Sequence, residues 1–153
     1  MEARKVVGRK RFALVDTEGR LLGVLVAPAA WSEQQGGRRL LAQLLPRLPR
    51  LLKLWADQAY RGDLMGWLQA TFGVELEIAT RPPEQVGFVV IARRWVVERS
   101  LAWWSRNRRL AKDYEHLAGS STLLLYLAAV HLLLKRLAPD PTAPIPYARA
   151  CLG

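Results

Sequence analysis

Leu51 to Ala56 reads Leu-Leu-Lys-Leu-Trp-Ala, a short and mostly apolar run bounded by Pro49 behind and Asp57 ahead. A run of that length suits a strand, and one with so little polar relief belongs inside a sheet covered on both faces. The chain must therefore supply further strands beside it and helices above and below. Arg9 to Val15 and Arg20 to Pro28 are β-rich runs separated by Asp16-Thr17-Glu18-Gly19, a hairpin with Gly19 where positive φ is most needed. Ser32 and Gln35 form a capping box, and an amphipathic helix runs from Arg38 to Leu48 until Pro46 or Pro49 stops it. Gly36-Gly37 counts against the start of that helix.

Beyond Asp57-Gln58-Ala59-Tyr60-Arg61-Gly62 the period turns helical, with Leu64, Trp67, Leu68 and Thr71 on one side and Gly73 as C-cap. Val74 to Ala79 alternates and predicts a strand with a polar face. After a Pro82-Pro83 loop come a β-run, Phe88 to Ala92, and an Arg/Trp-rich helix. Leu110 to Gly119 is a break, Ser120 or Ser121 caps, and Thr122 to Leu137 is the last helix, ended by Pro139. Its apolar core, Leu123 to Leu134, is too short to span a bilayer and is expected to be buried, with His131 a satisfied core residue and His116 on the surface. Strand, strand, helix, strand, helix, strand, helix is the order of an α/β domain with a mixed sheet. At 153 residues the chain is sized for one domain, taken as 1–138, and the Pro-rich stretch 139–153 is expected to be disordered.

Net charge is +10, with an isoelectric point near 10.6, which predicts attraction to a polyanion. Nucleic acid comes before membrane, because aromatic and basic residues interleave and the basic residues lie on several sides of the Arg/Trp helix. Cys151 is the sole cysteine and no signal-peptide pattern opens the chain, so a reducing cytosol is the expected location.

Arg93 to Leu110 sets one acid, Glu98, among six arginines and three tryptophans. Helical spacing puts Val97, Leu101 and Trp104 on a burying face and Arg94, Glu98, Ala102 and Ser105 on the stripe beside it, so Glu98 borders the core. On its own Glu98 could simply pair with Arg94 four residues earlier, for about 0.3–0.5 kcal/mol. Asp57 could likewise be a turn residue or a helix N-cap. Yet Asp57 also stands at the C-terminal end of a strand, where open α/β sheets place ligands. Two carboxylates brought together hold divalent metals, and arginines around them suit a phosphodiester. No zinc spacing, phosphate-binding Gly loop or G-x-S-x-G elbow competes with that chemistry.

Ala56-Asp57-Gln58-Ala59-Tyr60-Arg61-Gly62, then Phe88 through Arg99 with Arg-Arg-Trp-Val-Val-Glu-Arg at its end, then Trp103 through Tyr114, together resemble the catalytic half of a bacterial insertion-sequence transposase of the DDE class. The similarity takes in roughly residues 8–138. The resemblance implies a ribonuclease H-like mixed sheet with flanking helices, two Mg²⁺ (or Mn²⁺) ions, and cutting and joining of DNA at the ends of the element. It makes Asp57 the second acid and Glu98 the third, both catalytic and both metal ligands, with Tyr60, Arg61 and Trp95 supporting the motif. Arg93, Arg94, Arg99, Arg106, Arg108, Arg109 and Lys112 are expected to hold DNA. Arg94 matches the signature arginine four positions before the glutamate, whereas the signature's tyrosine falls on Ile91 and its lysine on Ser105, with Arg106 next.

In that fold the first acid lies on a central strand ahead of the hairpin, and only seven residues precede Gly8, so this strand is expected to be missing and the chain alone inactive. Asp16, forty-one residues before Asp57, is not expected to replace it, because a hairpin turn lies at the other end of the sheet. The expected partners are terminal-repeat and target DNA, an upstream transposase piece and other copies of the chain on DNA, in the cytoplasm at the nucleoid. The competing reading is a non-catalytic DNA-binding remnant that regulates transposition.

Overall fold

The computed structural model describes residues 8–79 and 94–138. The expected strand Phe88 to Ala92, Arg93, the side chains of Arg94 and Trp95, and the tail 139–153 lie outside the described residues. What is described is a mixed α/β fold of two small sheets and five helices.

The hairpin forms as expected, with β1 (Arg9–Val15) antiparallel to β2 (Leu21–Pro28). Asp16 Oδ1 accepts the backbone N–H groups of Glu18 (2.9 Å) and Arg20 (2.8 Å), and Gly19 takes φ 81° to close the turn. β3 (Lys53–Ala56) runs parallel to β4 (Glu75–Ile78), whose outward Glu75 and Glu77 both reach Lys53, at 3.0 and 2.7 Å. The expectation that β3 is enclosed by a sheet is not met among the described residues. Only Leu54 is fully buried, and no described strand pairs with the edge of β3 away from β4.

Helix α1 (Glu33–Leu44) ties the two sheets together. The Ser32/Gln35 capping box is present in both directions, the helix begins earlier than expected, and a 3₁₀ turn at Leu45–Arg47 carries Pro46. Gly36 and Gly37, which weaken the helix on propensity, are where it seats. A Cβ at Gly36 would stand 2.1 Å from the Phe12 ring of β1, and one at Gly37 2.7 Å from the Tyr60 ring beyond β3. Below them Leu41 and Leu45 pack with Leu54, Leu64, Leu68, Val74 and Leu76, which brings in α2 (Asp63–Phe72) with its left-handed C-cap at Gly73.

Helix α3 (Arg94–Ser105) packs on the hairpin through Val96, Ser100 and Trp104 rather than Val97, Leu101 and Trp104. The cause is a hydrogen bond: the buried Ser100 Oγ lies 3.0 Å from the Gly19 carbonyl, so a polar residue takes the inward position and Leu101 is left 38% exposed. Glu98 accordingly is exposed rather than at the core border. A short α4 (Arg108–Ala111) leads to α5 (Ala118–Leu137), which starts earlier than expected. Ser121 is therefore inside the helix and does not cap it. Its hydroxyl lies 2.6 Å from Asp113 Oδ1, while Arg9 bonds Asp113 Oδ2 at 3.1 Å and the carbonyls of Glu115 and His116 at 2.7 and 2.5 Å. That cluster pins the start of β1 to the loop before α5.

Leu125, Ala128 and Ala129 are buried, with Leu125 and Ala128 joining Val24, Val26, Trp104 and Leu110 in one core cluster, but α5 is not buried all round. Leu123, Leu127, Val130, Leu134 and Leu137 form an exposed stripe, and His131 is exposed, not a core residue. At twenty residues α5 is long and apolar enough to cross a membrane by length and composition alone, with 22% of that window buried.

Gly36→Ala should cost about 1–3 kcal/mol, because the Phe12 ring must leave its seat to admit a methyl group. Gly66→Ala, mid-helix with nothing within 4 Å, should instead add about 0.4–1 kcal/mol. Urea unfolding midpoints of the two variants check both signs.

Candidate active site

The chain leaves β3 at Ala56 and turns at once into a 3₁₀ helix, Gln58–Tyr60, for which Asp57 is the N-cap. Asp57 Oδ1 accepts the Ala59 N–H at 3.0 Å, which fixes the carboxylate at the strand's C-terminal end. Capping and a place in a site are thus compatible here, since one oxygen suffices for the cap. Tyr60 packs its ring on Gly37, and burial, with the Asp57 and Glu33 charges, pushes its phenol up to about 12. Arg61 is exposed, and its carbonyl accepts Gln34 Nε2 at 2.6 Å.

Asp57 and Glu98, forty-one residues apart in sequence, line one cavity of about 290 Å³. Its walls are Arg11 to Leu14 of β1 and Leu54 to Asp57 along and beyond β3, with Leu40 and Leu41 of α1 and Val97, Glu98 and Leu101 of α3. A second cavity of about 220 Å³ continues it between Ala13 to Thr17 and Leu51 to Trp55. Ala13, Leu14, Leu54, Trp55 and Val97 line both, so the two form one slot between the sheets. Asp16 lies at the end where β3 begins, and Asp57 and Glu98 lie where it ends. The sequence missed this slot because it follows from the spacing of two sheets, which no local pattern encodes.

Two carboxylates facing one cavity suit an oxygen-ligated divalent ion, but they are an incomplete set. Among the described residues no group of three or more His, Cys, Asp or Glu side chains is placed to hold a metal.

The cations divide into two kinds. Arg106, Arg108, Arg109 and Lys112 follow the end of α3 on exposed positions, Arg109 with Glu115 3.3 Å away. Arg99 is half-buried instead, stacked 4.7 Å from the Trp103 ring centroid and donating to the Glu18 carbonyl at 3.1 Å. Arg136 of α5 sits over the same ring at 4.9 Å. Burial, reinforced by the Arg136 charge, lowers the Arg99 pKa. Arg99 therefore helps join α3 to the hairpin turn, while the Trp103 ring carries the contact with Arg136 of α5.

A family model described as "Transposase DDE domain" matches residues 2–133. No curated protein and no solved structure matches the chain.

The raised Tyr60 pKa makes alkaline stability a readout of this corner. Below the unfolded value of 10 its contribution is fully present, and it is lost as pH rises through about 12. Tyr60→Phe should flatten the stability loss across that interval, and Asp57→Asn should lower the Tyr60 midpoint. Ultraviolet difference titration alongside chemical unfolding measures both.

Proposed function

The chain belongs to the transposase DDE-domain family, whose activity is metal-dependent DNA cleavage in transposition, and we propose that Asp57 and Glu98 are its second and third acids. The observation that carries this reading is that both acids line one cavity although they come from different elements. Mg²⁺ or Mn²⁺ held there by the two carboxylates and a further acid would polarise a phosphodiester and lower the pKa of a bound water or 3′-hydroxyl. The rest of the work falls to the chain itself. The Ala59 N–H keeps the Asp57 carboxylate turned to the end of β3, and the exposed Glu98 on α3 leaves the pocket open to a large substrate. Arg106, Arg108, Arg109 and Lys112 hold the DNA backbone next to Glu98, with Arg93 and Arg94 as further phosphate contacts. At 1.5 Å per residue, Arg106 lies about 12 Å along the helix direction from Glu98, the span of a few nucleotides.

The first acid is supplied from outside the described residues, and the chain without it is inactive. Self-association on DNA would use the exposed stripe of α5, whose spacing of four, three, four and three residues is that of a coiled-coil seam. The place of action is the bacterial cytoplasm, at the nucleoid. The exposed Arg106, Arg108, Arg109 and Lys112 also suit a second reading, a DNA-binding remnant that regulates transposition without cutting.

Joined to the region encoded upstream of it, the chain should nick terminal-repeat DNA in Mg²⁺, and Asp57→Asn or Glu98→Gln should each reduce nicking to background. Full activity in both variants would remove the acids from the chemistry. Binding without nicking in the joined protein would favour the remnant. Under either reading DNA affinity should fall steeply with salt. Changing Arg106, Arg108, Arg109 and Lys112 to Ala should shrink the log–log slope by about 0.9 for each phosphate no longer neutralised.

A further inference from the structure

We infer that Arg99 of α3 and Arg136 of α5, both stacked on the indole of Trp103, form a clamp for one phosphate of a DNA backbone, separate from the carboxylate pocket. That the phosphate belongs to DNA rests on the transposase reading; the geometry of the clamp does not.

The clamp is built from three elements. The Arg99 and Arg136 guanidinium carbons lie 4.7 and 4.9 Å from the Trp103 ring centroid, which brings α3 and α5 to one indole. The hairpin turn is the third element. Arg99 donates to the neutral Glu18 carbonyl at 3.1 Å, and a Cβ at Gly19 would stand 3.4 Å from both Arg99 Nη2 and Trp103 Cζ3, so the turn presses this pair into place. The acids of that turn are engaged elsewhere: Glu18 pairs with Arg20, and Asp16 lies 3.7 Å from the same guanidinium. Among the described residues Arg136 has no carboxylate partner. Two like charges are thus held against one ring, and the Arg99 pKa is lowered by burial and then by the Arg136 charge. The indole face offsets part of that repulsion, and an anion shared by both guanidinium groups removes it.

The chemistry selects a phosphate. A guanidinium presents a planar fork of N–H donors that meets phosphate oxygens two at a time, and its weak hydration suits a half-buried place against an aromatic ring. Arg136 is exposed and Trp103 only half-buried, so the clamp opens to solvent. Its position on α3 favours a phosphate within a chain over a free one. Arg106, just past the helix end, follows Arg99 by seven residues, almost two helical turns, and so continues the same line past Trp103. Trp103 in turn is five residues beyond Glu98, about 7.5 Å along the axis, or about two nucleotides of one strand at 3.4 Å each. A strand that runs from Arg106 along this line meets the clamp before it reaches Glu98. Contact with the backbone alone sets the register of that strand and carries no base preference.

The test uses the full chain, a short single-stranded DNA oligonucleotide and no metal. Arg136→Gln, at an exposed position, should weaken binding about tenfold, the loss expected of one charge-assisted contact, whereas Lys135→Gln, which removes the neighbouring exposed charge, should weaken it by about twofold at most. Oligonucleotides that each carry one methylphosphonate linkage then locate the phosphate. Neutralising one particular linkage should cost the unsubstituted chain about tenfold and the Arg136→Gln chain nothing further, and Arg99→Gln should lose the effect of that same linkage. Arg136→Lys, which keeps the charge without the fork, should recover only part of the loss. Equal losses in Arg136→Gln and Lys135→Gln, or no linkage that couples to Arg136, overturn the inference. So does inorganic phosphate that binds at Arg136 more tightly than the oligonucleotide, which would make the clamp a free-anion site. Coupling in a chain that never nicks when joined to its upstream region leaves the clamp standing and removes the catalytic reading, while nicking without coupling removes the clamp.

Discussion

Backbone amides and carbonyls must find partners, and in this chain that requirement shapes everything near the candidate site. Two small sheets, one antiparallel and one parallel, are held side by side by helices that cross the space between them. The glycines of α1 let that helix lie directly on Phe12 from one sheet and on Tyr60 beyond the other. Side-chain packing fixes the spacing between the two sheets. The acids occur at one end of this slot because β3 stops there and α3 passes over it.

Much of the local structure could be read from the sequence. The Asp16 to Gly19 turn, the Ser32/Gln35 capping box, the Gly73 cap and the alternating face of β4 each depend on a few neighbouring residues, and the structure has them. The misreadings came where tertiary contacts overruled local pattern. Gly36 and Gly37 count against a helix on propensity, but close approach of two aromatic rings requires them. The burying face of α3 is turned by one residue because Ser100 bonds the hairpin turn, which periodicity cannot anticipate. Ser121 looks like a cap and is a buried partner of Asp113. Leu123 to Leu134 looks like a core helix, yet the hairpin is narrow and covers only one side of it.

The candidate site was legible in a different way. Neither Asp57 nor Glu98 is distinctive alone, and each has an ordinary structural explanation. The surrounding motif pointed to the family, and the family model matching residues 2–133 establishes membership. The slot and the apolar lining that Val97 and Leu101 give it depend on three-dimensional arrangement, so they came from structure alone.

The most direct test is whether Asp57 and Glu98 feel one ion. Mn²⁺ titrated into the isotopically labelled chain should broaden the resonances around both residues together, at the same concentration, and Asp57→Asn should abolish broadening at both positions. Broadening confined to one of them, or persisting around Glu98 after Asp57 is replaced, would contradict a shared metal pocket.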